Sequence, residues 1–80
     1  MPRYFFHLYE CGTTIADDEG RELSDTAAIH EAAFREARSI MAGEVQKGEL
    51  CLSCRIEVLD ENGRPMFVLP FREALNVTGC

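Results

Sequence analysis

The first ten residues carry an apolar pattern that predicts a β-strand covered on both sides. Successive side chains of a strand point to opposite faces. One face is formed by Tyr4, Phe6 and Leu8, and the other by Phe5, His7 and Tyr9. A strand with one solvated face alternates apolar and polar residues, whereas a strand that is apolar on both faces needs two covers. We therefore expect the rest of the chain to be arranged around this strand.

A second strand and a long helix are predicted after it. Residues 13–16 are partly β-branched and favour a strand that returns beside the first. Residues 26–47 contain no proline, and Gly48 after them is a typical helix stop. Either Ser24 or Asp25 suits the N-cap of this helix.

The predicted helix has one apolar face. At about 100° per residue, one arc contains Ile29, Ala33, Phe34, Ala37, Ile40, Met41 and Val45. His30 also falls in this arc, where a half-buried packing role is expected. Because polar side chains lie opposite, we expect the helix to lay its apolar face on a sheet.

The C-terminal third predicts a hairpin. Residues 53–59 and 64–71 have strand character, and the Asn-Gly pair between them is a strong turn signal. Loops of two and of four residues both fit this turn. Pro65 and Pro70 lack an N–H group, so we expect either that the last strand lies at a sheet edge or that these two positions lie outside the ladder. Residues 71–75 then favour one helical turn.

These elements predict an α+β fold with the order ββαββ, in which one long helix crosses one face of a small, mainly antiparallel sheet. Residues 1–75 form a single predicted domain, and residues 76–80 are expected to be a flexible tail. One helix covers one face of the sheet. The second apolar face of the first strand then requires cover from residues 71–75 or from another copy of the chain.

Composition and charge argue against several classes of function. The 80 residues carry a net charge of −6 at pH 7, so a nucleic-acid backbone is repelled and no nucleic-acid partner is expected. No stretch approaches the roughly 20 apolar residues of a membrane span, and no signal peptide is recognised. We therefore expect a cytoplasmic protein without a membrane partner, whose four cysteines stay reduced.

Several short motifs resemble a known family. They are Arg3-Tyr4-Phe5-Phe6-His7, Asp18-Glu19-Gly20 with Glu22-Leu23, Asp60-Glu61-Asn62-Gly63-Arg64, and Leu69-Pro70-Phe71-Arg72-Glu73-Ala74-Leu75. Together they resemble a family of short, uncharacterised alphaproteobacterial proteins classed as a domain of unknown function. The resemblance implies a stand-alone cytoplasmic domain and assigns no activity to any residue. Cys11, Cys51 and Cys54 depart from the family pattern, so no shared thiol or metal role is implied.

Cys51 and Cys54 form the motif that most resembles a catalytic or metal site. Two thiols at this spacing suit a redox disulfide or half of a zinc site. They follow the C-terminus of the predicted helix, where the helix dipole opposes a thiolate. A four-cysteine zinc site would also need Cys11 and Cys80. We therefore favour incidental reduced thiols and expect no cofactor.

Other polar residues offer weaker signals. His7 suits a general base or a metal ligand if a partner faces it, but spacing assigns none, so packing among the aromatic residues is favoured. Residues 17–22 are acidic, yet they do not match a calcium-binding loop, and a solvated loop is expected. Arg3, Arg64 and Arg72 suit an anion site, although salt bridges with the 14 acidic residues are the favoured interpretation.

The sequence favours a small non-enzymatic interaction module that self-associates, most simply as a homodimer. The expected surface comprises Phe5, His7, Tyr9, Phe67, Leu69 and Phe71. An unknown protein partner is compatible with the same surface. The alternative is a small-ligand or metal binder that uses His7 with Arg3 or with Cys51 and Cys54. Nucleic-acid binding through the sheet aromatics is a third hypothesis, which the acidic charge opposes.

Overall fold

The computed structural model describes residues 2–10 and 12–75. In chain order, they form β1 (Arg3–Glu10), β2 (Thr13–Ile15), β3 (Arg21–Glu22), α1 (Thr26–Gln46), β4 (Arg55–Leu59), β5 (Pro65–Pro70) and a short 3₁₀ turn (Phe71–Glu73). The predicted α+β fold, with a mainly antiparallel sheet and one long helix, is confirmed for these residues. The two-residue strand β3 is an addition to the predicted order. Cys11 and the predicted tail at residues 76–80 lie outside the described residues.

β1 is the centre of the sheet. β4 pairs along one side of it, with Phe6 opposite Val58. β3 and β2 both pair along the other side, β3 near the beginning of β1 and β2 near its end. β5 pairs with β4 and forms an outer edge, the position expected for a strand that contains Pro65 and Pro70.

Local hydrogen bonds fix both ends of α1. The Asp25 carboxylate accepts a hydrogen bond from the Ala28 N–H at 2.8 Å and caps the N-terminus. At the C-terminus, the N–H groups of residues 48–49 donate to the carbonyls of residues 44–45. This is a Schellman motif, and it depends on the positive φ of Gly48 (84°). The helix therefore begins and ends close to the predicted positions.

The hairpin turn has a length between the two that fit the sequence. The Asp60 N–H donates to the Arg64 carbonyl at 2.9 Å, so residues 61–63 form a three-residue loop. The Asp60 carboxylate accepts the Arg64 N–H, and Gly63 supplies a positive φ of 79°. The pairing of β4 with β5 also shifts register near the end of β4. The loop length and this shift together set which side chains of β5 face α1.

The core lies between α1 and one face of the sheet. α1 contributes the buried residues Ile29, Ala33, Ala37 and Met41, and the sheet contributes Phe6, Ile56, Val58 and Leu69. Tyr4 and Leu8 pack at the margin of this core. The Tyr4, Phe6 and Leu8 face of β1 is therefore the one that the helix covers.

Two side chains of α1 differ from the prediction. Val45, placed in the apolar arc, is 58% exposed in the last turn of the helix. His30 is exposed rather than half-buried, and its ring stacks on Phe67 with the ring centroids 4.1 Å apart. Among the residues that the structure describes, no helix has both the length and the apolar composition that crossing a membrane requires.

The 3₁₀ turn closes the core on the helix side. Phe71 is fully buried there, next to Ala74. The Phe71 N–H donates to the Cys54 carbonyl at 2.9 Å, and Arg38 Nε of α1 donates to the Ala74 carbonyl at 2.9 Å. These bonds hold residues 71–74 against the helix, so this segment does not cover the second apolar face of β1.

Candidate functional site

The sheet face that points away from α1 carries a continuous row of apolar and amphipathic side chains. α1 packs on the opposite face of the sheet, and the loop at residues 17–20 borders this face at Phe5 and His7. The cross-strand register brings together on this face Phe5, His7 and Tyr9 of β1, Arg55, Glu57 and Leu59 of β4, and Met66 and Val68 of β5. We call this surface the open face. Met66 and Val68 are 45% and 44% exposed.

Three of the six residues that the sequence assigns to the interaction surface lie on the open face. These are Phe5, His7 and Tyr9, and each is partly exposed. They lie side by side along β1, with their neighbours Leu59, Glu57 and Arg55 on β4. The β1 half of the predicted surface is therefore assembled in one place.

The other three residues, Phe67, Leu69 and Phe71, lie on the helix side of the sheet. Leu69 and Phe71 are 3% and 0% exposed, and Phe67 packs at the margin of the core. Side chains buried within the chain are not available to a partner. On β5, the residues that face outward are instead Met66 and Val68, one position out of phase with the predicted row.

The open face carries both signs of charge as well as apolar surface. The Arg55 guanidinium lies over the Tyr9 ring, 4.3 Å from its centroid, in a cation–π contact. Glu57 lies between His7 on β1 and Val68 on β5. A partner that covers this face therefore meets an apolar surface with a cation and a carboxylate two residues apart on the same strand.

His7 is fixed by the loop between β2 and β3. Its Nδ1 accepts a hydrogen bond from the Asp17 N–H at 3.0 Å. An accepting Nδ1 places the proton of the neutral imidazole on Nε2. The Asp17 carboxylate in turn accepts the Phe6 N–H at 3.0 Å. The two contacts fasten this loop to β1.

The Asp17 carboxylate also organises the loop itself. Its other oxygen accepts the N–H groups of Glu19 at 3.2 Å and Gly20 at 3.1 Å. Burial raises the pKa of this carboxyl, but the three backbone donors and the Arg21 guanidinium outweigh that effect and hold the pKa below its ordinary value. Sequence reasoning predicted a solvated loop and missed this role. An Asp followed three residues later by Gly, which is typical of a side chain that closes its own turn, was the available signal.

Arg3 anchors the same loop. Its guanidinium donates to the Glu19 carbonyl at 2.6 Å and pairs with Glu22 at 3.4 Å. Gly20 passes so close that a Cβ at this position would lie 2.9 Å from both Arg3 Cγ and the Tyr4 carbonyl oxygen. Both groups proposed for a ligand site at the start of β1, Arg3 and His7, are thus engaged by the loop.

The two thiols of the Cys-x-x-Cys motif lie between α1 and β4. Cys54 is buried in the core on the helix side, so the sheet separates it from His7. Cys51 Sγ lies 3.2 Å from Ser53 Oγ. Within the described ranges, no three His, Cys, Asp or Glu side chains are grouped to hold a metal ion. Cys11 and Cys80, which the zinc hypothesis requires, fall outside those ranges.

Comparison with known proteins gives a family without an assigned activity. A family model described as a domain of unknown function (DUF6894) matches residues 3–72. No curated protein and no solved structure gives a match. The matched residues include every strand of the described sheet and the whole of α1. The chain therefore belongs to the DUF6894 family of domains of unknown function.

Proposed function

We propose that this domain is a small non-enzymatic interaction module that self-associates as a homodimer through the open face. The observation that carries the proposal is the distribution of cover over the sheet. α1 and the 3₁₀ turn both pack on one side. The other side presents Met66 and Val68, which are exposed, and Phe5, Tyr9 and Leu59, which are partly exposed. Contiguous apolar surface that remains accessible to solvent generally marks an association site.

The size of the chain supports the same proposal. A domain of this length buries only about 60% of the surface that its unfolded chain exposes, so its core gives a small margin of stability. Each Å² of apolar surface removed from water contributes about 25 cal/mol. Packing the open face against a second copy of the chain would bury apolar surface that the single chain leaves accessible to water.

The charges of the open face support a second copy as the partner. A two-fold interface brings the same surface of two copies together, so each group meets a complementary group of the other copy. Arg55 and Glu57 have opposite charges and face the same way on β4. In a symmetric face-to-face dimer, Arg55 of one copy can pair with Glu57 of the other, and both charges keep a partner.

The alternative of a small-ligand or metal site at His7 has less support. The Nδ1 atom of His7 and the Arg3 guanidinium both bond to the loop at residues 17–20. A ligand that used them would first have to displace these contacts. Such binding would therefore destabilise the loop.

A charge placed in the centre of the open face tests the proposal. We expect Val68→Lys to raise the dimer dissociation constant at least about tenfold. Covering the open face would remove the added ammonium from water, and even beside Glu57 this loss of hydration costs more than about 1.4 kcal/mol. Sedimentation equilibrium across a concentration series measures this constant. Val45→Lys, at a more exposed valine on α1, is the matched control and should leave association unchanged.

Two results would contradict the dimer. The first is a wild-type chain that stays monomeric at all concentrations at which it remains dissolved. The second is a dimer whose dissociation constant responds equally to Val68→Lys and to Val45→Lys, because this places the interface away from the open face. Circular dichroism on both variants establishes that each is folded.

A further inference from the structure

The two outer edges of the sheet differ in their capacity to accept another strand. The Arg64 carbonyl and the Phe71 N–H both bond toward β4. Backbone groups alternate sides along an antiparallel strand. The neighbouring positions, Pro65 and Pro70, therefore face outward, where each lacks the N–H group that a further strand would use. The β5 edge is thus protected against strand addition.

The β2 edge has no such protection. The Phe6 N–H points toward the loop after β2, because it donates to Asp17. By the same alternation, Leu8 directs its backbone groups at β2, where it pairs with Ile15. Thr14, one position earlier, therefore directs its N–H and C=O away from β1. None of the described strands pairs with β2 on that side.

A groove lies beside this edge, between β2 and α1. It has a volume of about 380 Å³. Its apolar lining consists of Phe6, Leu8, Ile15, Ala16 and Ile40. Ile15 is 51% exposed, so this lining is open to solvent on the side of β2. Because side chains of a strand alternate between faces, every second side chain of a strand added to β2 would point toward the groove.

The charges around the groove indicate the chemistry of its occupant. Three acidic residues, Asp17, Glu19 and Glu36, line it together with the basic residue Arg21. Arg21 is already paired with Glu36 and lies over the Phe6 ring, 4.6 Å from its centroid. The chain as a whole carries a charge of −6. On an added strand, aliphatic side chains at the positions that point into the groove would complement its lining. Basic side chains at the alternate positions would be attracted by the net negative charge of the chain.

We propose that the Thr14 edge and the adjoining groove form a docking site for an extended segment of a partner protein, which adds to the sheet as a strand and alternates aliphatic with basic side chains. A second copy fits this site poorly. β2 has three residues, and pairing two copies along it would bury far less than the roughly 800 Å² per partner of a stable interface. It would also bring two acidic rims together. The site is separate from the open face and does not depend on the proposed dimer.

A synthetic peptide tests this site. The probe is a fluorescein-labelled peptide of four Lys-Val repeats, titrated with the full chain and followed by fluorescence anisotropy. We expect saturable binding that Thr14→Pro weakens at least tenfold, because proline removes the outward N–H of the edge. Thr14→Val keeps that N–H and should bind like the wild type. Hydrogen exchange at the Thr14 amide should slow when the peptide is bound.

Several outcomes would overturn the proposal. Equal binding by the Thr14→Pro and Thr14→Val variants would mean that general charge attraction, and not strand addition, holds the peptide. Equal affinity for a peptide of four Glu-Val repeats would remove the basic specificity. Slow exchange at the Thr14 amide that appears with rising protein concentration and without peptide would assign the edge to a second copy.

Discussion

Asp17 supplies a hydrogen-bond acceptor where the sheet beside β1 is interrupted. β2 ends at Ile15 and β3 begins at Arg21, so the Phe6 N–H between them faces a loop instead of a strand. The carboxylate accepts this N–H together with two N–H groups of the loop. An acidic run in a sequence does not reveal such a role, because it depends on where β2 stops. This is why composition predicted a solvated loop at this position.

Replacing this carboxylate should destabilise the fold. We expect Asp17→Asn to lower the free energy of unfolding by about 1–3 kcal/mol at neutral pH, because an amide offers one acceptor oxygen instead of two and loses charge-assisted bonds. Urea denaturation measures the change. Asp18→Asn, at an exposed neighbour, is the matched control and should change the value by less than about 0.5 kcal/mol. Equal losses in the two variants would contradict the role of Asp17.

The contribution of Asp17 should also depend on pH in a defined direction. Its pKa in the folded chain lies below the ordinary value of 3.8. A carboxyl with a lowered folded-state pKa stabilises the fold above its unfolded pKa, and this stabilisation is lost as the pH falls through the folded pKa. The difference in unfolding free energy between wild type and Asp17→Asn should thus stay constant above about pH 5 and narrow below pH 3.8. A difference that does not narrow on acidification would contradict this assignment.

The start of α1 is an element boundary that the sequence predicts to within two residues. Two residues suit the N-cap of α1, and the structure assigns it to Asp25 through the bond with Ala28. We expect Asp25→Ala to lower the unfolding free energy by about 1 kcal/mol. Ser24→Ala is the control, expected within about 0.5 kcal/mol of wild type. Thermal unfolding distinguishes the two variants. A larger loss of unfolding free energy in Ser24→Ala than in Asp25→Ala would show that Ser24 is the N-cap.

The helix and the hairpin are predictable because their signals are local. A cap, an uninterrupted run, a terminal Gly and an Asn-Gly turn all act within a few residues. The face of β5 is different, because a change of one residue in register moves every side chain to the other side. The three-residue loop and the shift near the end of β4 decide that Phe67 and Leu69 face α1 while Val68 faces outward. Neither feature is fixed by the local pattern.

The orientation of β1 was open for a related reason. Its two faces are almost equally apolar, so the strand by itself does not determine which one the helix covers. β4 does, because it alternates cleanly: Ile56 and Val58 are buried, whereas Arg55 and Glu57 point the other way. The register with β4 places Phe6 beside Val58 and thus on the side of the core. The choice of face depends on a residue pair about fifty positions apart in sequence.

At the scale of the whole molecule, the two proposed surfaces differ in chemistry as well as in position. The open face is apolar with charges of both signs, and its proposed partner carries the same net charge of −6. The β2 edge has an acidic rim, and its proposed partner is basic. The two interactions should therefore respond to salt in opposite directions.

The repulsion between two copies is large enough to observe. Two charges of −6 at about 25 Å repel by about 6 kcal/mol in water without salt. An Arg55–Glu57 pair formed within the covered face offsets little more than its own loss of hydration, so repulsion dominates the electrostatics of the dimer. Raising the salt from about 0.01 M to about 0.1 M shortens the screening length from about 30 Å to about 10 Å. Self-association should accordingly strengthen over this range.

Binding of the Lys-Val peptide should weaken over the same range, because screening reduces the attraction between its cations and the negatively charged chain. Sedimentation equilibrium and fluorescence anisotropy, carried out in one salt series on one preparation, measure the two trends together. Val68→Lys should weaken self-association in the sedimentation experiment and leave peptide binding unchanged. Thr14→Pro should weaken peptide binding in the anisotropy experiment and leave self-association unchanged. Association that weakens with salt would mean that charge attraction holds the dimer, and the apolar open face would then no longer explain it.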